Sequence, residues 1–456
     1  MVSQDLHDFL TDYEAAHPDD VLTVDATVSR DQDITAIVWE LAARGRHPLL
    51  RFPSVEACEA EVVTNVFASR RRIEIMLGAR PGCLHARYEE LAGSARPVVE
   101  REDGPVTELV VSGDDVDLAG LPLLTHFEGD LGPYITNGIL VVEDPESGLG
   151  NLSYHRAIVV SRTALGTSLH SRGDAWRMLE AARDRGERLP VAMVVGAHPL
   201  FMLAASARVP YSVDEREIAG GLMGAPLEVV RTPVHGLRVP AWAEIVLEGV
   251  IDPQQQADEG PFGEFTGYSS HRSTHNRLDV QAVLRRADAK WLDVVGGNSD
   301  EHLNLARVPR EAEMRGKLMS RFPAVRDVHY PNSGTHFHCY VAVAERRPGE
   351  ARQAMLGLLA WDPYLKTVIA VDPDVDLADD SAVLWALATH LQPARDVCVV
   401  DGLPGSPLDP SSLPDGTASR MALDATRGPA FDSVRIALSE RARSKAEAFI
   451  DQLPGG

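Results

Sequence analysis

The chain has 456 residues, 44% of them hydrophobic and 24% charged, the profile of an ordinary globular protein with room for two or three domains. Its formal net charge of −23 repels nucleic acid and anionic lipid, and gives no help in recruiting an anionic substrate, so any acid-binding site must carry local positive charge. Apolar runs such as Val191–Val195 are far too short to cross a bilayer, and Met1–Asp8 lacks the basic region and apolar core of a signal peptide, so the expectation is a cytoplasmic protein without a membrane span.

In chain order, the first 112 residues alternate helix-like and strand-like patterns. Asp5–Ala16 and Thr35–Ala43 have helical spacing, His47–Phe52 reads as a short strand, and Val62–Leu77 reads as a further helix ended by Gly78 and Pro81. A small N-terminal α/β domain over 1–112 is expected. From 113 to 308 strand patterns dominate. Gly138–Val142 and Ala157–Val160 flank a turn-rich segment at Asp144–Gly148. Ala243–Val250 alternates apolar residues with Glu244 and Glu248, as a half-buried strand does. Leu278–Leu284 and Lys290–Val295 read as a hairpin, and helices are expected near Asp174–Arg185 and Pro199–Ala207. This predicts a β-rich barrel or sheet with a helical insert.

A connecting helix is expected over Ala312–Phe322, within a linker at 309–325. A second α/β unit follows over 326–456, with strands at Thr335–Ala344 and Thr367–Val371 and helices at Glu350–Ala360 and Ser381–His390. Asp372, Asp374 and Asp376 lack the glycine and glutamate of a calcium loop and read as a solvated strand end. The tail, Asp432–Leu453, reads as a mixed-charge amphipathic helix suited to packing or subunit contact. Four scattered cysteines (Cys58, Cys83, Cys339 and Cys398) form no C-x-x-C pair, which argues against a disulfide framework or thiolate zinc.

The dinucleotide, P-loop, nucleophile-elbow and H-E-x-x-H templates find no match. The informative stretch is Asp258-Glu259-Gly260-Pro261-Phe262-Gly263-Glu264. Its glycines and proline disfavour a helix, so both glutamates ride on a bent loop that can aim two acids at one small volume. Two acids in one pocket push one carboxyl toward the protonated form, as a proton donor near neutral pH requires. Alone, the spacing is also that of an acidic surface turn. Three polar clusters keep it company: Asn151-Leu152-Ser153-Tyr154-His155-Arg156, His170-Ser171-Arg172 before a helix, and Glu215 before the Gly-rich 219–224 run. Asn, His and Glu together would suit Mn²⁺ or Mg²⁺ better than structural zinc. Spacing alone does not bring them together.

Glu-Gly-Pro-Phe-Gly-Glu-x-x-Gly-Tyr at 259–268 resembles the signature of the UbiD family of prenylated-FMN-dependent decarboxylases. Ala243–Gly249, Asn151–Arg156, the 44-residue interval from Glu215 to Glu259, Tyr364-Leu365-Lys366, Leu384–Ala386 and Met421–Thr426 extend the resemblance over nearly the whole chain. It implies an α/β and α+β multidomain fold: an N-terminal α/β segment, a central split β-barrel flavin-binding domain, a linker helix on which the last domain hinges, and a C-terminal α/β domain with an oligomerisation tail. It implies that Asn151, His170 and Glu215 hold Mn²⁺ (or Mg²⁺) against the flavin phosphate, and that carbonyls near Ala205 and Ser206 hold K⁺. Ser153, Tyr154, His155, Arg156 and Leu169 would border prenylated FMN, and Lys366 would contact its phosphate. Glu264 would be the proton donor and acceptor, with Arg156 and Glu259 completing the network. His170 stands closer to Arg156 than in some members, and His170-Ser171-Arg172 reverses an order seen in others, which bears on its role as third ligand.

Asn332, Thr335 and His336 are expected at the substrate pocket, where polar side chains suit a heteroaromatic or hydroxylated ring. The implied function is non-oxidative decarboxylation of an aromatic, heteroaromatic or α,β-unsaturated acid, releasing CO₂. A flavin prenyltransferase would supply the cofactor to a homodimer or homohexamer. Alternatives are a decarboxylase of a prenylated hydroxybenzoate in quinone biosynthesis and a non-catalytic flavin- or metal-binding subunit.

Overall fold

The computed structural model describes residues 3–144, 147–169, 173–344, 347–428 and 431–450. At the N-terminal end, helices Leu6–Ala16 and Asp33–Ala43 accompany a four-stranded sheet ordered Val21–Thr23, Leu49–Phe52, Val62–Thr64, Trp291–Leu292. Two expectations are corrected here. Val62–Thr64 is a strand, and the helix begins only at Arg70, where the Ser69 hydroxyl accepts from the Arg72 amide at 3.3 Å. Val62, Val63 and Thr64 are β-branched, which favours the extended chain despite an apolar pattern that reads as a helix. The expected hairpin is absent as well. Trp291–Leu292 leaves its neighbour in sequence and pairs in parallel with Val62–Val63.

The middle of the chain builds a nine-stranded sheet whose pairings are all antiparallel. Its order is Tyr134–Ile135, Ala157–Ser161, Ala164–Thr167, Asn276–Arg285, Ile245–Gln256, Leu189–Val195, Gly138–Glu143, Gly150–Tyr154, with Leu109–Ser112 also paired to Asn276–Arg285. Alternate residues of the central strands enter two cores. Ile139, Val141 and Val194 face the all-buried helix Pro199–Ala205, whereas Leu140, Val142 and Met193 face helix Asp174–Arg185. The strand expected to be half exposed is therefore covered on both sides, and Glu244 and Glu248 are fully buried. Glu248 is accommodated by donors: the Thr232 hydroxyl at 2.5 Å and the Val234 and His235 amides at 3.0 and 2.6 Å. Buried carboxylates persist where such donors replace water.

One helix, Asp300–Arg321, spans 22 residues and runs from this body into the C-terminal unit. It starts twelve residues before the expected Ala312. Ser299 caps it, its hydroxyl accepting from the His302 amide at 3.2 Å, and the chain runs helical through Pro309. A proline reads as a break because it lacks the N–H donor. The buried Glu301 carboxylate fastens the helix to the N-terminal sheet, accepting from Thr64 Oγ1 at 3.0 Å and the Asn65 amide at 2.8 Å.

The C-terminal sheet is ordered Val325–His329, His338–Val343, Thr367–Val371, Thr417–Asp424, Val397–Pro404, parallel at its centre and antiparallel at both edges. Cys339, Val341 and Val343 face helix Glu350–Trp361, and Tyr340 and Ala342 face helix Asp380–His390. Helix cover on both faces is what a parallel core requires. In the tail a helix occupies Glu440–Ile450 with every residue exposed, residues 431–439 are irregular, and the expected positions 451–453 lie outside the described residues.

Candidate active site

Glu259 and Glu264 meet on one guanidinium. Arg156 Nε donates to Glu259 Oε1 at 2.5 Å and Nη2 to Glu259 Oε2 at 3.2 Å, a two-pronged pairing. Arg156 Nη1 donates to Glu264 Oε1, and Nη2 also reaches the Arg272 carbonyl at 3.1 Å. Glu259 is 1% exposed and Glu264 7%, so the pair is interior and the surface-turn alternative does not hold. Burial pushes the Glu264 carboxyl above its usual value. Arg156 opposes this, while the charges of Glu259 and Asp130 add to it. Burial works against the charge on Arg156, but the two carboxylates outweigh it and keep the guanidinium protonated.

The loop owes its shape to partners distant in sequence. Phe262–Gly263 pairs with Ser269–Ser270 as a short antiparallel ribbon. Asp130 Oδ1 accepts from the Gly263 amide at 2.9 Å, and the Tyr134 hydroxyl accepts from the Gly260 amide at 3.0 Å. Gly260 has φ +89°, open to glycine and disfavoured for other residues. Gly263 is needed for space, because a Cβ there would lie 2.3 Å from the Phe127 ring. The Arg156 guanidinium lies 4.7 Å from the centroid of the Phe262 ring, which fixes its plane.

Five residues before Arg156, on strand Gly150–Tyr154, Asn151 meets Glu215. Asn151 Nδ2 donates to Glu215 Oε1 at 3.2 Å, and the Leu152 amide donates to Glu215 Oε2 at 3.0 Å. Glu215 is the first residue of helix Glu215–Met223, placed by its N-cap Asp214. Burial pushes the Glu215 carboxyl up to about 7. Among the described residues no Arg, Lys or His pairs with it. An amide and a buried carboxylate lacking a counter-charge fit a hard divalent cation. The third expected ligand, His170, lies outside the described residues. A separate acidic group, Asp5, His7 and Glu244, is already neutralised by Arg286, which lies 2.7 Å from Asp5 and 3.7 Å from Glu244.

Ser153 and His155 lie between the two centres. The Ser168 carbonyl lies 3.0 Å from His155 Nδ1 and needs a donor, so Nδ1 carries the proton in the neutral ring and Nε2 accepts from the Ser153 hydroxyl at 2.9 Å. Leu169 is buried, its amide donating to Thr274 Oγ1 at 2.8 Å. The Tyr154 hydroxyl donates to the Met202 carbonyl at 2.9 Å, on helix Pro199–Ala205, and that of Ser206 to the Leu305 carbonyl at 2.8 Å, on the long helix Asp300–Arg321. Lys366 is engaged by Asp409 at 2.8 Å and Ser411 at 2.6 Å. The expected pocket residues divide. Asn332 is a clasp on the long helix, its amide accepting from Arg307 and donating to Asp300. His336 is buried against the ring of Phe265, the residue after Glu264, 4.5 Å between centroids, while Thr335 Oγ1 and His336 Nδ1 have no hydrogen-bond partner among the described residues. The sequence reading passed over Phe127, Asp130 and Tyr134, which hold the loop and carry no motif. It also passed over Arg307 and Arg310, whose helical i, i+3 spacing shows only once the helix is begun at Ser299.

The chain is similar to known proteins over most of its length. The family described as 3-octaprenyl-4-hydroxybenzoate carboxy-lyase matches in three parts: its N-terminal domain at 14–92, its Rift-related domain at 97–299 and its C-terminal domain at 303–425. The anhydromevalonate phosphate decarboxylase of Aeropyrum pernix is 33% identical over 411 residues, covering 89% of this chain and 90% of the relative. The UbiD-class enzyme HmfF of Pelotomaculum thermopropionicum, solved with FMN, superposes with a TM-score of 0.90 at 31% identity, covering 98% of this chain and 100% of that one. The vanillic acid decarboxylase of Sedimentibacter hydroxybenzoicus in its closed form gives 0.86 at 29%, covering 99% and 100%.

Proposed function

The chain belongs to the UbiD family of carboxy-lyases, and from that premise we propose that it is a non-oxidative (de)carboxylase of an aromatic, heteroaromatic or α,β-unsaturated acid that works with prenylated FMN in a split-barrel flavin domain. The observation that carries the reading is the buried Glu259–Arg156–Glu264 network on a rigid loop. Asn151 and Glu215, with His170 where the resemblance puts it, would hold Mn²⁺ (or Mg²⁺) at the flavin phosphate, and carbonyls around Ser206 would hold K⁺. Ser153, Tyr154, His155 and Leu169 would line the flavin, and Lys366 would reach its phosphate from the C-terminal unit. When bound, the prenylated flavin supplies an electron sink for the breaking carbon–carbon bond.

The chain's own contribution is proton handling and charge. Arg156 Nη1 occupies Glu264 Oε1, which leaves Oε2 to carry the proton. Burial raises that carboxyl toward the working range of a general acid, so Oε2 protonates the carbon that has lost CO₂ and retrieves a proton for the reverse reaction. Glu259 is the fixed anion that holds Arg156 in plane. A second reading, a phosphate-bearing substrate, is favoured by the name of the Aeropyrum relative. The test is reconstitution with prenylated FMN and Mn²⁺ followed by a screen of carboxylic acids for CO₂ release. Glu264→Gln should lower turnover by roughly 10²-fold or more while flavin content stays unchanged. Wild-type turnover by that variant would refute the acid role.

A further inference from the structure

Two arginines inside the long helix have more hydrogen-bond donors than partners. Arg307 is fully buried and Arg310 is 4% exposed, three residues apart on one helix face. Arg307 uses Nη1 on the Tyr330 carbonyl at 3.2 Å and on Asn332, but its Nε and Nη2 have no acceptor among the described residues. Nε and Nη1 of Arg310 likewise have no hydrogen-bond acceptor among the described residues, Nε being ion-paired only. The nearest acid, Asp362, stands 3.5 Å from Arg310 Nε and already accepts from the Tyr330 hydroxyl at 2.9 Å. Glu311 is taken by Arg70, His85, His329 and the Tyr330 amide. Leaving buried guanidinium donors unpaired is costly, and native interiors seldom do so without a ligand to receive them.

A third guanidinium joins them. Arg310 lies 4.8 Å and Arg208 5.5 Å from the Tyr364 ring centroid. Arg208 is solvent-accessible and, with Pro309, Ala312 and Glu313, lines a cleft of about 300 Å³. Burial lowers the proton affinity of Arg307, opposed by Glu311 and reinforced by Arg70 and Arg310, whereas for Arg310 burial is outweighed by Asp362, which raises it. Burial and then Arg310, Arg307, His302 and Arg208 hold His336 neutral, as expected of cations gathered around that ring. Phe265 packs on His336 and, at 6.1 Å between centroids, on Tyr364. Through His336 and Tyr364 the arginine cluster thus packs on Phe265, the residue next in sequence to Glu264. In a chain of net charge −23, three clustered arginines with spare donors run against the prevailing sign.

We propose that Arg307, Arg310 and Arg208 form an oxyanion site for a second anionic group on the substrate, a phosphate monoester or a carboxylate apart from the one that leaves as CO₂. This rests on the decarboxylase reading above and names the substrate class: a small acid with two anionic ends. The spare donors fork to oxyanion oxygens, and Tyr364 and His336 supply the wall between the two ends.

The test is calorimetric titration of the FMN-loaded full-length protein with inorganic phosphate, methyl phosphate and terephthalate. Arg310→Gln should weaken binding of the preferred anion about ten- to a hundredfold, and Arg208→Gln several-fold, with FMN content unchanged. Arg208 lies at the surface, so its variant keeps the test decisive if Arg310→Gln does not fold. Preference for the phosphates or for terephthalate distinguishes the two anions, and either supports the site. Absence of saturable binding to the wild type, wild-type affinity in the folded variants, or loss of FMN by them (which would give the arginines to the cofactor phosphate) overturns it. Because binding is read without turnover, anion binding without CO₂ release from any acid sinks only the decarboxylase reading. Decarboxylation unaffected by Arg208→Gln for acids with and without a second anion sinks only the oxyanion site.

Discussion

Arg156 shows how one side chain sets the character of two others. Its guanidinium makes a two-pronged pairing with Glu259 and uses a different nitrogen for Glu264, so chemically identical acids become unequal. Lysine offers a point charge that cannot reproduce that fork. Arg156→Lys should lower kcat at least tenfold. It should also move the pH limb belonging to Glu264 upward, because the cation that opposes its raised carboxyl is no longer held in contact. A pH–rate profile with an unmoved limb would show that Arg156 does not tune Glu264. Asn151→Ala probes the other centre. Removing one of two neutral-to-anionic oxygen donors should reduce Mn²⁺ retention about tenfold, read by elemental analysis after dialysis, and wild-type metal content would take Asn151 out of the site.

At the scale of elements, the long helix joins the three parts, and Glu301 is its tie to the N-terminal sheet. Burial pushes this carboxyl from 4.5 up to about 7, outweighing its three donors. The folded state therefore binds the proton more tightly than the unfolded chain. Stability contributed by the protonated form is complete below about pH 4.5 and is lost as pH rises to about 7. That loss is on the order of 3 kcal/mol. Glu301→Gln should flatten the decline in denaturation free energy between pH 5 and 8, and parallel wild-type and variant curves would rule the tie out as its source. The 259–264 loop depends on its elements in the same way. Gly263→Ala would force Cβ into the Phe127 ring at 2.3 Å, so a loss of about 1–3 kcal/mol in stability is expected, together with reduced turnover.

Across the whole molecule, the tail is the segment with the most exposed apolar residues among those described. Val434, Ile436 and Leu438 are 92%, 98% and 70% exposed, and Phe449 and Ile450 face solvent from helix Glu440–Ile450. Apolar residues displayed along one segment are a contact surface awaiting cover. The occupant we expect is a second copy of this chain. Truncation after Gly428 should reduce the assembly size measured by light scattering, and an unchanged mass would show that the tail does not join subunits.

Much of this was legible in the residues themselves. Short runs of apolar, β-branched residues located the central strands, which are covered on both faces, and helical spacing located Asp174–Arg185, which hides one face from water. The Glu-Gly-Pro-Phe-Gly-Glu loop declared its own bend, since glycine and proline constrain a turn whatever surrounds it. Tertiary structure decided everything that depends on who stands opposite whom. It turned Val62–Thr64 into a strand by giving it partners at Leu49–Phe52 and Trp291–Leu292. It buried Glu248 by surrounding it with donors, made Asn332 a clasp, and gathered Arg208 and Arg310 around one tyrosine ring. Sequence determines local geometry because backbone propensity and hydrophobic period act over a few residues. The pairing of charges and the partners of buried donors are settled between positions far apart in sequence, where only the folded chain brings them within bonding distance.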